Sequence, residues 1–80
     1  MDTTLINLLS IIADQVSAET EEILPSHTFA ELGYDSLDHI DLLMECEDQF
    51  NVEFSDEEAS KLLTVQDLYQ AITRQQLAAA

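Results

Sequence analysis

The chain has 80 residues, 17 of them Asp or Glu against 2 Lys+Arg, for a formal net charge of −15. That length holds one small domain, taken here as residues 1–80, and excludes an enzyme built around a cleft between two lobes. The charge is the wrong sign for nucleic acid or an anionic membrane and the right one for a basic protein surface, while 46% hydrophobic residues exclude a disordered acidic tail.

At the amino end, Met1-Asp2-Thr3-Thr4 lacks the basic flank of a secretion signal, and no apolar run approaches membrane-spanning length. A cytoplasmic protein without membrane insertion is the expectation. The first helix is predicted from about Thr4 to Val16, where Leu5, Leu8, Leu9, Ile12 and Val16 recur at helical spacing. Asp2 or Thr3 can cap it, and Ile6 and Ile11 widen its apolar face. Ser17 to Asp35 then holds the only Pro (Pro25) and the only Gly (Gly33). A connection of that length in so small a domain is often functional. Ile23, Leu24, Phe29 and Leu32 are expected to pin it to the core, with His27 exposed in it.

A second helix is predicted from Asp35-Ser36 to about Phe50, with a capping oxygen from either residue and Asp38 in the first turn. Ser55-Asp56-Glu57-Glu58 reads as a capping box that opens a short helix through Leu62. Thr64-Val65-Gln66-Asp67 is a weaker start signal for a last helix carrying Leu68, Tyr69 and Ile72, with Ala78-Ala79-Ala80 expected to fray. The fold class is therefore all-α: a small four-helix bundle with one short helix and a long loop between helices 1 and 2.

On a wheel advancing about 100° per residue, Leu42, Leu43, Cys46 and Phe50 share one arc of the second helix, with His39 in it. Leu37, Ile40 and Met44 form a second apolar strip on the side of Ser36, bordered by Asp41, Glu47 and Asp48, with Asp38 and Glu45 completing an acidic surround. A helix crowded by three neighbours would show the same pattern. A docking surface, with apolar contacts for affinity and carboxylates to steer a basic partner, explains it equally well. A four-helix bundle cannot easily cover every side of one helix, which favours docking.

Ser36 can be a cap, a nucleophile or a site of modification, and capping is the commonest role at such a position. A hydrolase needs a base and an oxyanion hole. His39 stands about 60° away on the wheel, toward the core, and the glycines of a nucleophile elbow are absent. No catalytic residue is assigned. The acidic residues never supply the alternating ligands, glycine and twelfth-position Glu of a calcium loop, so no metal site is expected. Cys46 is the only cysteine, which excludes an intrachain disulfide, and its place on the core arc makes it a small hydrophobe.

Leu32-Gly33-Tyr34-Asp35-Ser36-Leu37-Asp38 resembles the Asp-Ser-Leu attachment motif of acyl carrier proteins. Phe29-Ala30-Glu31-Leu32-Gly33 before it is similar to that family's approach to the motif. Asp41-Leu42, Met44, Glu47, Phe50, Asp56-Glu57-Glu58-Ala59, Lys61 and Thr64-Val65 after it fall in register with the bacterial, free-standing type. The resemblance implies that Ser36 carries a 4′-phosphopantetheine arm, transferred from coenzyme A by a separate phosphopantetheinyl transferase. Acyl groups would ride on the arm as thioesters, delivered to the enzymes of fatty acid or related biosynthesis.

It also implies that Asp35, Leu37, Asp38, Ile40, Asp41, Met44 and Glu47 are read by basic patches on acyl-transferring, condensing and reducing enzymes. The interior, an acyl pocket in this family, would be lined by His39, Leu42, Leu43, Cys46, Phe50, Phe54, Ala59, Leu62 and Leu68. The expected protein is a monomeric shuttle, not an enzyme. Four residues depart from the family pattern: Tyr34 and His39 are larger than usual, Cys46 is smaller, and Ser55 replaces a frequent Pro. They keep open a specialised carrier of polyketide, lipid-modification or aminoacyl cargo. An unmodified acidic adaptor that docks basic partners is the alternative from another class.

Overall fold

The structure, a computed structural model, describes residues 2–79, with side chains through Ala78. Four helices follow in order: α1 (Thr3–Val16), α2 (Ser36–Phe50), α3 (Asp56–Ala59) and α4 (Val65–Ala79), with a 3₁₀ turn at Thr20–Glu22 between the first two. Asp2 is the cap of α1, its carboxylate accepting from the Thr4 amide at 2.9 Å. Ser17 ends that helix in the left-handed conformation (φ 57°), which lets the Ala18 amide reach back to the Ala13 carbonyl at 3.0 Å. Asn51 closes α2 in the same way (φ 55°), and the Val52 amide bonds the Glu47 carbonyl at 3.2 Å.

The apolar faces meet in one core. Leu8 and Ile12 of α1, Leu42 and Cys46 of α2, and Val65, Leu68 and Ile72 of α4 are fully buried. Each large aliphatic side chain among them contributes roughly 1.5–3 kcal/mol over its exposed state. Ile11 packs against this core but Ile6 does not; it faces solvent at 42% exposure. The apolar face of α1 is therefore narrower than its sequence suggests.

The long connection is ordered by what it bonds. Ile23 and Phe29 are buried and Leu32 packs beside them, as expected, but Leu24 is 52% exposed. The backbone is extended at Ile23, so neighbouring side chains point to opposite sides and only one of the pair can face the core. His27, expected in solvent, is half-buried, and its Nδ1 accepts from the Leu24 amide at 3.0 Å. Further on, the Phe29 amide donates to the Leu63 carbonyl at 3.0 Å, the Val65 amide to His27 at 3.1 Å and the Gln66 amide to Pro25 at 2.9 Å. These bonds stitch the connection along the segment between α3 and α4.

The capping box of α3 is present, with the Ser55 hydroxyl accepting from the Glu58 amide at 3.1 Å, but the helix stops at Ala59 and does not reach Leu62. The chain tightens there: Lys61 and Leu62 bond three residues back, to Glu58 and Ala59. Asp67 then draws the Leu63 and Thr64 amides onto one carboxylate oxygen, at 3.2 and 3.1 Å, and the Thr64 hydroxyl accepts from Asp67 at 3.0 Å. Two start signals so close together leave no room for a longer α3. At the carboxyl end α4 continues through Ala79 where fraying is expected, and Ala80 lies outside the described residues.

Candidate functional site

The chain enters α2 through a turn that needs glycine. Gly33 sits at φ +92°, in the region that side chains disfavour, while the Tyr34 amide bonds the Phe29 carbonyl at 2.9 Å. Asp35 follows as the cap: its Oδ1 accepts from the Asp38 amide at 2.8 Å, and the Asp38 carboxylate accepts from the Asp35 amide at 3.2 Å. The sequence leaves the cap open between Asp35 and Ser36. With Asp35 in that role, Ser36 becomes the first helical residue. It is exposed, and among the described residues no partner engages its hydroxyl. An oxygen at this place lies at the positive end of the helix dipole, beside free amide groups, which favours a phosphate ester there.

The two apolar arcs of α2 separate as the wheel suggests. Leu42, Leu43 and Cys46 are buried and Phe50 packs against them, whereas Leu37, Ile40 and Met44 are 72, 52 and 60% exposed. Around the exposed strip stand the carboxylates of Asp35, Asp38, Asp41, Glu45 and Asp48, all at the surface. Glu47 differs from them. It is half-buried, and its Oε2 accepts from the Phe54 amide at 2.8 Å, so it also fastens the connection that follows α2.

Beside Ser36 a groove of about 530 Å³ runs between α2 and the α3–α4 segment, lined by Phe29, Tyr34, His39, Leu62 and Leu63. His39 Nε2 lies 2.9 Å from the Leu62 carbonyl. A carbonyl only accepts, so Nε2 bears the proton and is committed to that bond. The ring also lies against Phe29, centroids 5.2 Å apart. A base held in this way does not serve Ser36. Tyr34 meets Phe29 edge-on at 5.6 Å and donates its hydroxyl to Gln15 Oε1 at 2.6 Å. Burial, with the charges of Cys46 and Asp38 behind it, pushes the Tyr34 phenol up to about 12.

Of the residues expected to form an acyl pocket, only His39 and Leu62 reach this groove. Leu42, Cys46 and Leu68 are fully buried, Leu43 is nearly so, and Phe50, Phe54 and Ala59 pack around them. Burial pushes the Cys46 thiol up to about 12, with Glu45 and Glu47 adding to the effect, so it stays unreactive. Sequence reasoning does not find Leu63 or Phe29 as groove residues. They meet Ser36 through the pairing of Thr28 with Thr64, which no local pattern announces.

The family model described as the phosphopantetheine attachment site matches residues 7–72. An acyl carrier protein from Thermosynechococcus vestitus is 52% identical over 60 residues, which are 74% of each chain. The chain belongs to the acyl carrier protein family. The crystal structure of an acyl carrier protein from Thermotoga maritima superposes with a TM-score of 0.81 at 33% identity, covering 95% of this chain and 89% of that one. The molecule is thus a carrier with a phosphopantetheine attachment domain, not a catalyst, and the four-helix bundle is that of its relatives. Modification by a transferase and work alongside biosynthetic enzymes come with the family. Among the described residues, no helix is long and apolar enough to cross a membrane.

Proposed function

We propose that Ser36 is the attachment point of the 4′-phosphopantetheine arm and that the protein shuttles acyl thioesters between enzymes of fatty acid or related biosynthesis in the cytoplasm. One observation carries this: the Ser36 hydroxyl is exposed at the first position of α2 and spared from capping by Asp35. In the attachment step a transferase directs that hydroxyl at the β-phosphorus of coenzyme A. A P–O bond to Ser36 forms, adenosine 3′,5′-bisphosphate leaves, and the serine proton passes to a base on the transferase. The new phosphodiester is then favoured by the amino end of α2.

The flexible arm does the visiting, and the protein supplies the address. Leu37, Ile40 and Met44 offer apolar contact that costs little to desolvate. Asp35, Asp38, Asp41 and Glu47 orient a basic patch on the partner, by long-range attraction that speeds encounter. A specialised pathway is the second reading, favoured by Tyr34 and His39, two large side chains beside the arm. Incubation with coenzyme A and a broad-specificity phosphopantetheinyl transferase is expected to add one phosphopantetheinyl group to the wild-type protein and none to Ser36→Ala. Equal modification of both, or of neither, would contradict the assignment. An unmodified adaptor would instead bind basic partners equally well as wild type and as Ser36→Ala.

A further inference from the structure

His39 lines the groove beside Ser36. Its Nε2–H donates to the Leu62 carbonyl at 2.9 Å, joining α2 to the α3–α4 segment. Its ring lies against Phe29 of the long connection. Three elements therefore meet at one side chain. Further along the same arc of α2 come Leu42 and Cys46, both fully buried, so the way inward from the groove is the packed core. Moving the ring aside would leave the part-buried Leu62 carbonyl without its donor, which is costly away from water.

A group tethered at Ser36 samples the adjoining groove at high effective concentration, so weak apolar contacts suffice to hold it there. We infer that His39 is a cargo-positioning latch: bonded to Leu62 and packed against Phe29, it keeps an acyl group carried by Ser36 in the surface groove and out of the core around Leu42. This rests on the carrier reading of Ser36. The cargo it suits is a short or polar acyl group, which gains little from deep burial. A long alkyl chain must displace the ring to go further in.

The test is to load Ser36 with an octanoyl-phosphopantetheinyl group from octanoyl-coenzyme A and compare methyl and aromatic NMR resonances with the unacylated arm. In the wild-type protein the octanoyl group is expected to shift Phe29, Tyr34 and Leu63 and to leave Leu42 and Leu68 unchanged. In His39→Ala the Leu42 and Leu68 methyls are expected to shift as well. His39→Gln, whose amide can still donate to the Leu62 carbonyl, is expected to keep the wild-type pattern. Core shifts already present in the wild type, or an untouched groove, would overturn the latch, and these two outcomes need no variant to fold. Absence of core shifts in a folded His39→Ala would overturn it too. Failure of Ser36 to gain the octanoyl-bearing mass would count against the carrier reading itself, and the latch would fall with it.

Discussion

Asp35 and Ser36 divide two roles that a single serine often combines. The Asp35 carboxylate takes the Asp38 amide, so that capping bond does not fall to the hydroxyl beside it. Cys46 shows the opposite case, a nucleophilic atom disarmed by its surroundings. Its thiol is raised from 9.0 to about 12 chiefly by burial, and Tyr34 is raised from 10.0 to about 12 for the same reason. The sign follows from linkage: both groups ionise more readily in the unfolded chain, so their contribution is complete below the unfolded values and disappears as pH rises through the folded ones. Stability is expected to fall between pH 9 and 12, and Cys46→Ala is expected to flatten that decline in urea titrations across the range. Rapid labelling of Cys46 by a thiol reagent at pH 8, at the rate of an unfolded peptide, would contradict its burial.

At the scale of elements, α2 has two apolar faces, one buried in the core and one open to solvent. Leu42→Ala empties part of a closed core and is expected to cost about 2–5 kcal/mol. Alanine at Leu37, Ile40 or Met44 removes side chains that face solvent and is expected to change stability by about 0.5 kcal/mol or less. Urea denaturation of the four variants checks both; a large loss at the exposed positions would make that strip part of the bundle rather than the docking face proposed above. Much of this was legible in the sequence, because spacing along one helix fixes which residues share a face. The capping box at Ser55 was legible for a similar reason, since Glu58 lies three residues on, whereas the choice between Asp35 and Ser36 at the start of α2 was settled only by the fold. The early end of α3 was not legible, because it depends on Asp67 gathering amides from the segment before it. Nor was the groove, whose walls come together only when Phe29 bonds Leu63 across the molecule.

Seen whole, the molecule is a small body with far more negative charge than it neutralises. Lys61 and Glu57 form one ion pair at 3.7 Å, with both side chains largely in water, where such a pair contributes little. A net charge of −15 within a radius of gyration of 11.7 Å places most carboxylates near the screening length of physiological salt, about 8–10 Å. The same field that would attract a basic partner therefore strains the fold. The melting temperature is expected to rise with sodium chloride, and more steeply per mole with magnesium. A flat response to both would remove carboxylate repulsion as a major term.

If this fold presents one modified serine, the intact mass of the protein purified from its native host, with the modified peptide mapped, reveals it. The expected mass lies above that of the chain by one phosphopantetheinyl group, with or without an acyl group, located on Ser36. An unmodified mass that persists after treatment with coenzyme A and a broad-specificity transferase would contradict it.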